Sequence, residues 1–432
     1  MGSRITPRSA LLLVAGKDPV AAVGGRAGGH ETYVRAHARA ARRAGFEPHV
    51  FSVAHRTERL PTEFGVLHRA RAVPWPHRPW MVPAHVEPLV RAVERFAREE
   101  RLNRALLHGF GLWGGIAVAA ARRLTRQGVQ ATAVVSAYST YAYEARAKVD
   151  GLDPTAGLAD HVRFRMLYLW GRLVVDRYER QGYTGAARVL VNYDSIARLL
   201  EDAYRVGARC RKIPYSSESA FLDTAAPATP TPPRDGLPAG EPGSAPLVVA
   251  VSRHDPRKGV NVLIRALARL RAGAIPFRAC LVGGGPLLDE NRRLVTRLGL
   301  DAHVSVTGFV PDPRAYLRLA DVFVLPSLRE SSGSVSLIEA LHAGLPVVTS
   351  SCDGIPEDVI DGRSALLVSP GDVDALATAL GRLLRDPGLR QSLARGGREV
   401  FARKFSPLAV VEALRAVYGE LGLVPSPPGA SG

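Results

Sequence analysis

LVVAVSRHDPRKGVNVLIRALARLRAGAIPFRACLVGGG, residues 247–285, opens with a continuously apolar run that polar turn residues close off. Such a run suits a strand covered on both faces. VNVLIRALARLRA then shows the spacing of a helix with one apolar face, and FRACLVGGG supplies a second apolar run. Strand, helix and strand in that order make a βαβ unit, whose strands pair in parallel.

The same rhythm continues downstream at VSVTGFV (304–310), DVFVLPS (321–327), PVVTSS (346–351) and ALLVSP (365–370), with helical stretches such as SVSLIEALHA between them. Upstream it recurs less cleanly: LLLVAG (11–16), EPHVFSV (47–53), ALLHGFG (105–111), TAVVSAYS (132–139) and RVLVNY (188–193) read as strands. ETYVRAHARAARRAG and GGIAVAAARRL read as helices, and Ala159–Tyr183 as one long helix or a helix pair. TAAPATPTPPRDGLPAGEPGSA, residues 224–245, is rich in Pro, Gly, Ala and Thr and reads as a linker. The expected organisation is a domain over 1–223, the linker over 224–245, a domain over 246–405, a helix within 406–423 and a loose tail over 424–432. Both domains belong to the α/β class, as Rossmann-like, doubly wound parallel sheets facing across a cleft. A ligand is expected at the carboxyl ends of the strands.

Composition bounds the function. The 432 residues are 46% hydrophobic and 22% charged, which excludes wholesale disorder and fibrous repeats. Cys210, Cys280 and Cys352 are odd in number and widely spaced, giving neither a zinc pattern nor a disulfide framework and favouring a reducing cytoplasm. No apolar run reaches the roughly 18 residues of a membrane span. MGSRITPRSALLLVAG has a faint signal-peptide look, but a helix pattern and another strand follow at once, so LLLVAG is read as a buried first strand. MGSRIT also fits the myristoylation pattern, which is short enough to recur by chance.

The net charge is +17, and residues 1–222 hold 34 Lys+Arg against 19 Asp+Glu, leaving the second half nearly neutral. Partners open to so basic a half are an anionic membrane surface, an acidic substrate or a nucleic acid. No nucleic-acid module is recognisable in it. HVRFRMLYLWGRLVVDRYERQGY, residues 161–183, interleaves Arg163, Arg165, Arg172, Arg177 and Arg180 with Phe164, Leu167, Tyr168, Trp170 and Val174. It is either a helix whose apolar side packs inward or a basic amphipathic helix for a membrane surface. Trp75 and Trp80, in VPWPHRPWMVP, suit either a headgroup layer or stacking on sugar rings.

Four stretches carry candidate chemistry. In VSRHDPRKG, Arg253 and Lys258 stand at a strand-to-helix turn, where two cations and a helix N-terminus can clamp a diphosphate; solvated surface charges are the structural alternative. In RESSGSVSLIEALHAGLP, Ser331, Ser332, Gly333 and Ser334 make a small-residue turn before a helix beginning near Val335, offering backbone N–H groups to phosphate. Glu330 precedes that turn, and Glu339 lies inside an apolar helix, where a carboxylate needs a partner. In GRAGGHE, Gly28 and Gly29 allow close approach of a ligand to the backbone or form a surface loop. In LLHGFG, His108 ends an apolar strand and either polarises a substrate group or is structural. No metal-ligating constellation appears.

Taken together, these stretches resemble the GT-B-fold glycosyltransferases of the large retaining class called family 4, over nearly the whole chain. The likeness is strongest over 247–370, where strand–RxxxxK–helix, GGGP, VTGFVPD, LADVFVLPS, the acidic helix and EDVIDGRSALLVSPGD follow in the family's order. The resemblance implies transfer of a sugar from a nucleotide sugar, a UDP-sugar favoured, to an unknown acceptor, lipid-linked or anionic among the options, with retention at the anomeric carbon. It implies phosphate binding by Arg253 and Lys258, ribose binding by Glu339, and a place near the donor sugar and diphosphate for Glu330, Ser332, Gly333, Ser334 and Val335. Gly28, Gly29 and His108 would lie beside the transferred sugar, and the helix within 406–423 would cross back to the first domain. No cofactor or metal ion is expected to be required.

Two features depart from the family pattern. Eight residues separate Glu330 from Glu339 where the family has seven, and VVSAYSTYAYEA stands where a histidine is common. Tyr138 and Glu144 are therefore considered as acceptor-side residues. A sugar-nucleotide epimerase of similar architecture remains the alternative enzyme, a nucleic-acid-binding protein the alternative of another class.

Overall fold

The computed structural model describes residues 8–20, 29–72, 82–152, 157–218, 220, 237–238, 245–330 and 333–425. The MGSRIT segment, Gly28, Trp75, Trp80, Ser331, Ser332 and most of the linker and tail lie outside the described residues. The chain divides into two compact units. One comprises Met1–Glu144, Met166–Phe221 and Pro407–Gly432, the other Ala145–Arg165 and Leu222–Ser406.

Among the described residues the first unit has eight strands: β1 (Ser9–Gly16), β2 (Pro48–Ala54), β3 (Glu58–Thr62), β4 (Gly65–Arg71), β5 (Arg104–Phe110), β6 (Gln130–Ala137), β7 (Arg188–Val191) and β8 (Cys210–Lys212). They lie in the order β3-β4-β2-β1-β5-β6-β7-β8. All neighbours pair in parallel except β3 and β4, an antiparallel hairpin at one edge. That hairpin is absent from the sequence reading because β3 alternates between half-buried and exposed residues and β4 mixes buried with half-buried ones, so no continuous apolar run marks it. The central strand behaves as expected, with Leu11–Ala15 fully or almost fully buried.

The helix Pro407–Glu420 belongs to this unit. Its Val410, Val411, Leu414, Val417 and Tyr418 are buried in one apolar cluster with Leu11, Leu13, Val34 and Leu106. Residues 158–185 form helix Leu158–Trp170, a wide turn Gly171–Val175 and helix Asp176–Gly185 without a break.

The second unit contains β9 (Leu247–Val251), β10 (Arg278–Val282), β11 (Val304–Gly308), β12 (Val322–Leu325), β13 (Val347–Ser350) and β14 (Leu366–Val368), ordered β11-β10-β9-β12-β13-β14 and parallel throughout. Helices Val260–Ala272 and Val373–Arg385 pack against each other, and their Leu263, Leu267, Leu380 and Leu383 share a core with Val248 and Val324.

In each sheet the strand order reverses once, between β1 and β5 in the first and between β9 and β12 in the second. At such a point the loops leaving neighbouring strands diverge to opposite faces, opening a crevice at the strands' carboxyl ends.

Candidate functional site

The crevice of the second unit is formed by the loops after β9 and β12, which carry the two charged stretches singled out from the sequence. After β9 the chain runs Ser252–Asp255, makes one tight turn at Pro256–Lys258, and enters helix Val260–Ala272. Gly259 makes the junction at φ +61°, and a Cβ there would lie 2.1 Å from the carbonyl oxygen of Pro326 in the loop after β12. Only glycine satisfies both conditions. The two loops are joined there: Leu328 N–H donates to Arg257 O at 2.7 Å. On the other side, His254 N–H donates to Gly284 O and Leu287 N–H to His254 O, which ties the same loop to GGGP.

Lys258 and Glu330 meet in this bracket. The Lys258 ammonium donates to Glu330 Oε1, which also accepts the Ser327 hydroxyl at 2.8 Å. The side chains of Lys258 and Glu330 are 11% and 3% exposed. Glu330 N–H donates to Asp353 Oδ2 at 2.6 Å, fixing the backbone just before the small-residue turn. Arg257 lies 4.0 Å from Glu330 Oε2 and 3.7 Å from Asp255 Oδ1. Arg253 differs from Lys258: its side chain is 68% exposed and has a loose ion pair with Asp255 at 3.7 Å. One cation is thus held inside the bracket and the other is presented to solvent at its mouth. The nine-residue step from Glu330 to Glu339 places the first in the strand-end loop and the second, half-buried, in helix Val335–Ala343.

Gly333 turns at φ +72° into Ser334, which occupies the position before the first residue of that helix. The Ser334 side chain makes no capping bond to the helix; its hydroxyl pairs with that of Ser336 at 2.9 Å. The first-turn N–H groups of Val335–Leu337 are left for other acceptors, which is what a bound phosphate oxygen supplies.

In the first unit, β1 and β5 end at Gly16 and Phe110. Gly16 turns at φ +71° against the Trp113 ring, closer than any Cβ would allow. Gly29 is the first residue of helix Gly29–Arg43, and the next residue anchors it: His30 Nε2 bonds Ala15 O at 2.9 Å. Lys17 pairs with Glu31 at 3.4 Å, and the other carboxylate oxygen of Glu31 is buried with no hydrogen bond among the described residues. The Tyr138 hydroxyl is likewise buried without one, its ring 4.5 Å from that of Tyr33 and 6.3 Å from that of His30. Burial pushes the His30 imidazole below its ordinary pKa, although Glu31 and Glu144 oppose this. Lys17, His30, Glu31 and Tyr33 gather here although the sequence reading did not single them out. The signal was present in GGHE directly after the glycines, but no spacing rule attaches it to a strand end.

His108 is the correction. It was expected to end its strand and face an open crevice, yet β5 continues to Phe110 and the ring is wholly buried. Nδ1 bonds the Tyr418 hydroxyl at 2.7 Å and Nε2 the Ser136 hydroxyl at 2.8 Å, so both nitrogens are committed within the unit. Burial, reinforced by His37, pushes its pKa well down and keeps the ring neutral. Its position is that of a structural residue linking β5, β6 and the carboxy-terminal helix.

Residues 27–215 match the family model described as Glycosyltransferase Family 4, and residues 245–386 the one described as Glycosyl transferases group 1. These two stretches are similar to glycosyltransferase-family domains. A GDP-mannose-dependent alpha-(1-6)-phosphatidylinositol monomannoside mannosyltransferase of Mycolicibacterium smegmatis is 38% identical over 164 residues, 36% of this chain and 43% of that relative. The chain spans 43% to 63% of the length of such curated relatives. Among solved structures, sucrose-phosphate synthase from Thermosynechococcus elongatus superposes with a TM-score of 0.71 at 24% identity, over 96% of this chain and 99% of that one. Anabaena HepE in complex with UDP follows at 0.62 and 17%, over 95% and 100%. The glycosyltransferase domains therefore have the GT-B type of fold, and the relatives are named glycosyltransferases.

Proposed function

We propose that the protein transfers a sugar from a nucleotide-sugar donor to an acceptor hydroxyl, with retention of anomeric configuration. The observation that carries this reading is the convergence, at the β9/β12 reversal, of Arg253, the Lys258–Glu330 pair and the uncapped start of helix Val335–Ala343. In this reading the first-turn N–H groups and Arg253 hold the donor diphosphate, and Glu339 accepts the ribose hydroxyls. In the transfer, the bond from the anomeric carbon to the diphosphate oxygen breaks and the acceptor oxygen bonds to that carbon from the same face. The hydroxyl proton passes to the departing phosphate or to solvent. The negative charge that develops on the diphosphate meets Arg253 and Lys258, pre-placed cations of the kind that lower such a barrier. The first unit is assigned the acceptor, through the Lys17, His30, Glu31 and Tyr138 group near the ends of β1 and β6.

The sequence reading favours a UDP-sugar, and HepE binds UDP. The mycobacterial relative is GDP-mannose-dependent by name and much more similar in sequence. Both bases therefore belong in the test. Mass spectrometry of the protein incubated with UDP- and GDP-sugars and a panel of hydroxyl acceptors should detect a glycosylated product. An isomerised nucleotide sugar in place of such a product would establish the epimerase reading instead.

A further inference from the structure

Among the described residues of the first unit, a cleft of about 590 Å³ opens between helix Gly114–Arg126, the amino-terminal end of β6 and the link from helix Asp176–Gly185 into β7. That volume is in the range of sites for small organic molecules. The inner wall is apolar and made of short, buried side chains, Val118, Ala121, Ala133 and Ala186. The rim carries Arg122, Arg126 and Arg209, all exposed, and none of the lining residues is acidic. The cleft lies at the far end of β6 from Tyr138, since Thr132 and Ala137 are roughly 16 Å apart at about 3.3 Å per residue.

The charges on this rim are not neutralised within the protein. Among the described residues none of the three arginines has an ion pair, and Arg122 and Arg126 make no side-chain hydrogen bond. Arg209 donates through Nη1 to the carbonyl oxygens of Thr184 and, at 3.1 Å, of Ala186, which caps the carboxyl end of helix Asp176–Gly185. Arg122 leans over the same helix end, because a Cβ on Gly185 would lie 3.1 Å from its Nη2. Helix Gly114–Arg126 also ends at the cleft, and each helix carboxyl end is equivalent to about −0.5 charge. Against three guanidinium groups, the two ends leave an excess of about two positive charges. A phosphate monoester carries about −1.5 to −2 at neutral pH, and its oxygens match guanidinium forks. The neighbouring cleft, which shares Thr125, Ala131 and Thr132, lacks such a surplus: its one arginine, Arg104, is already bound to Gln130 Oε1 and Gly422 O.

No lining residue is a large exposed hydrophobic, so nothing on the rim suits insertion into a bilayer, and a soluble ligand is the better fit. We propose that this cleft binds a soluble phosphate monoester of metabolite size, with the phosphate on Arg122, Arg126 and Arg209 and the organic part against the apolar wall. It uses no residue of the candidate site and stands whether or not the donor chemistry is as proposed.

The test is calorimetry with phenyl phosphate, beside phenyl sulfate and inorganic phosphate. Phenyl phosphate should bind with a Kd of about 1 mM or tighter. Phenyl sulfate has a single charge and inorganic phosphate has no apolar part, so each should bind about fivefold more weakly or worse. Arg122→Ser and Arg209→Ser should each lower the affinity about tenfold. Thr125→Trp fills the cleft and keeps all three charges, and should abolish binding. Arg98→Ser, at an exposed arginine of helix Val82–Glu99, should not change it. Nor should Arg253→Ser, which separates this cleft from the candidate donor site. Circular dichroism checks that each variant is folded. Failure of phenyl phosphate to bind would overturn the proposal. So would binding that survives Thr125→Trp, or that Arg98→Ser or Arg253→Ser weakens as much as Arg122→Ser does.

Discussion

Lys258 and Glu330 form a buried ion pair that ties the loop after β9 to the loop after β12, with the Ser327 hydroxyl on the same carboxylate oxygen. Removing one member of such a pair leaves the other charge uncompensated, at a cost of about 3–5 kcal/mol. Lys258→Met and Glu330→Leu should each lower the melting temperature of the second unit sharply. The double variant should regain most of that stability without regaining nucleotide-diphosphate affinity in calorimetry. A double variant as unstable as either single one would mean that the pair is not a closed unit.

Arg253 should behave in the opposite way. It is exposed and loosely paired, so Arg253→Ala should leave the melting temperature unchanged. A charge-assisted contact to a phosphate contributes about 1.5–3 kcal/mol, so nucleoside-diphosphate binding should fall about tenfold or more. Glu339→Gln, by contrast, should raise the donor KM with little effect on kcat.

His108→Ala tests a structural role. Truncation takes one hydrogen-bond partner from the buried Ser136 hydroxyl and one of two from Tyr418, which keeps His37; a buried group left short of a partner costs about 1–3 kcal/mol. Chemical denaturation should show a large loss of stability, while the folded fraction keeps wild-type kcat. A stable His108→Ala variant with reduced kcat would return the residue to the chemistry.

Glu179 makes stability depend on pH. It is buried, accepts the Tyr141 N–H at 2.9 Å, and burial pushes its pKa up to about 8. Because this lies above the ordinary value of 4.5, the folded state holds the proton more tightly than the unfolded chain does. Stability is therefore lost as pH rises from about 4.5 to 8, at up to about 1.4 kcal/mol per pH unit. Glu179→Gln should match the wild type at pH 4 and exceed it increasingly toward pH 8 in denaturant titrations. A difference that does not change with pH would show that Glu179 titrates normally.

The second unit was legible in the sequence because its strands are buried on both faces and its charged turns sit directly at their ends. Arg253, Lys258 and Glu330 are found where their spacing put them, at the loops flanking the reversal in strand order. That Lys258 engages Glu330 was not legible, since 72 residues separate them and no local rule pairs them. His108 was misplaced for a related reason: a histidine in an apolar strand looks alike whether it borders a crevice or a buried hydroxyl. Tyr418, which decides between the two, lies 310 residues away. The exposed Leu158, Met166 and Leu169 of helix Leu158–Trp170 were half legible, because composition marks an amphipathic helix but not which of its apolar residues turn outward.

The return of helix Pro407–Glu420 to the first unit has a consequence for biosynthesis. Tyr418 closes the polar chain Ser136–His108–Tyr418–His37, and Leu414 and Val417 complete an apolar cluster begun by Leu11 and Val34. While the ribosome is still translating the middle of the message, that cluster lacks one wall and two neutral histidines lack their shared hydroxyl. The amino-terminal half must wait, partly assembled, until the last segment emerges. The second unit has all its strands in one uninterrupted stretch and can finish first. The order of completion then runs against the order of synthesis, and nascent chains stalled before codon 407 should present the first unit as a protease-sensitive species.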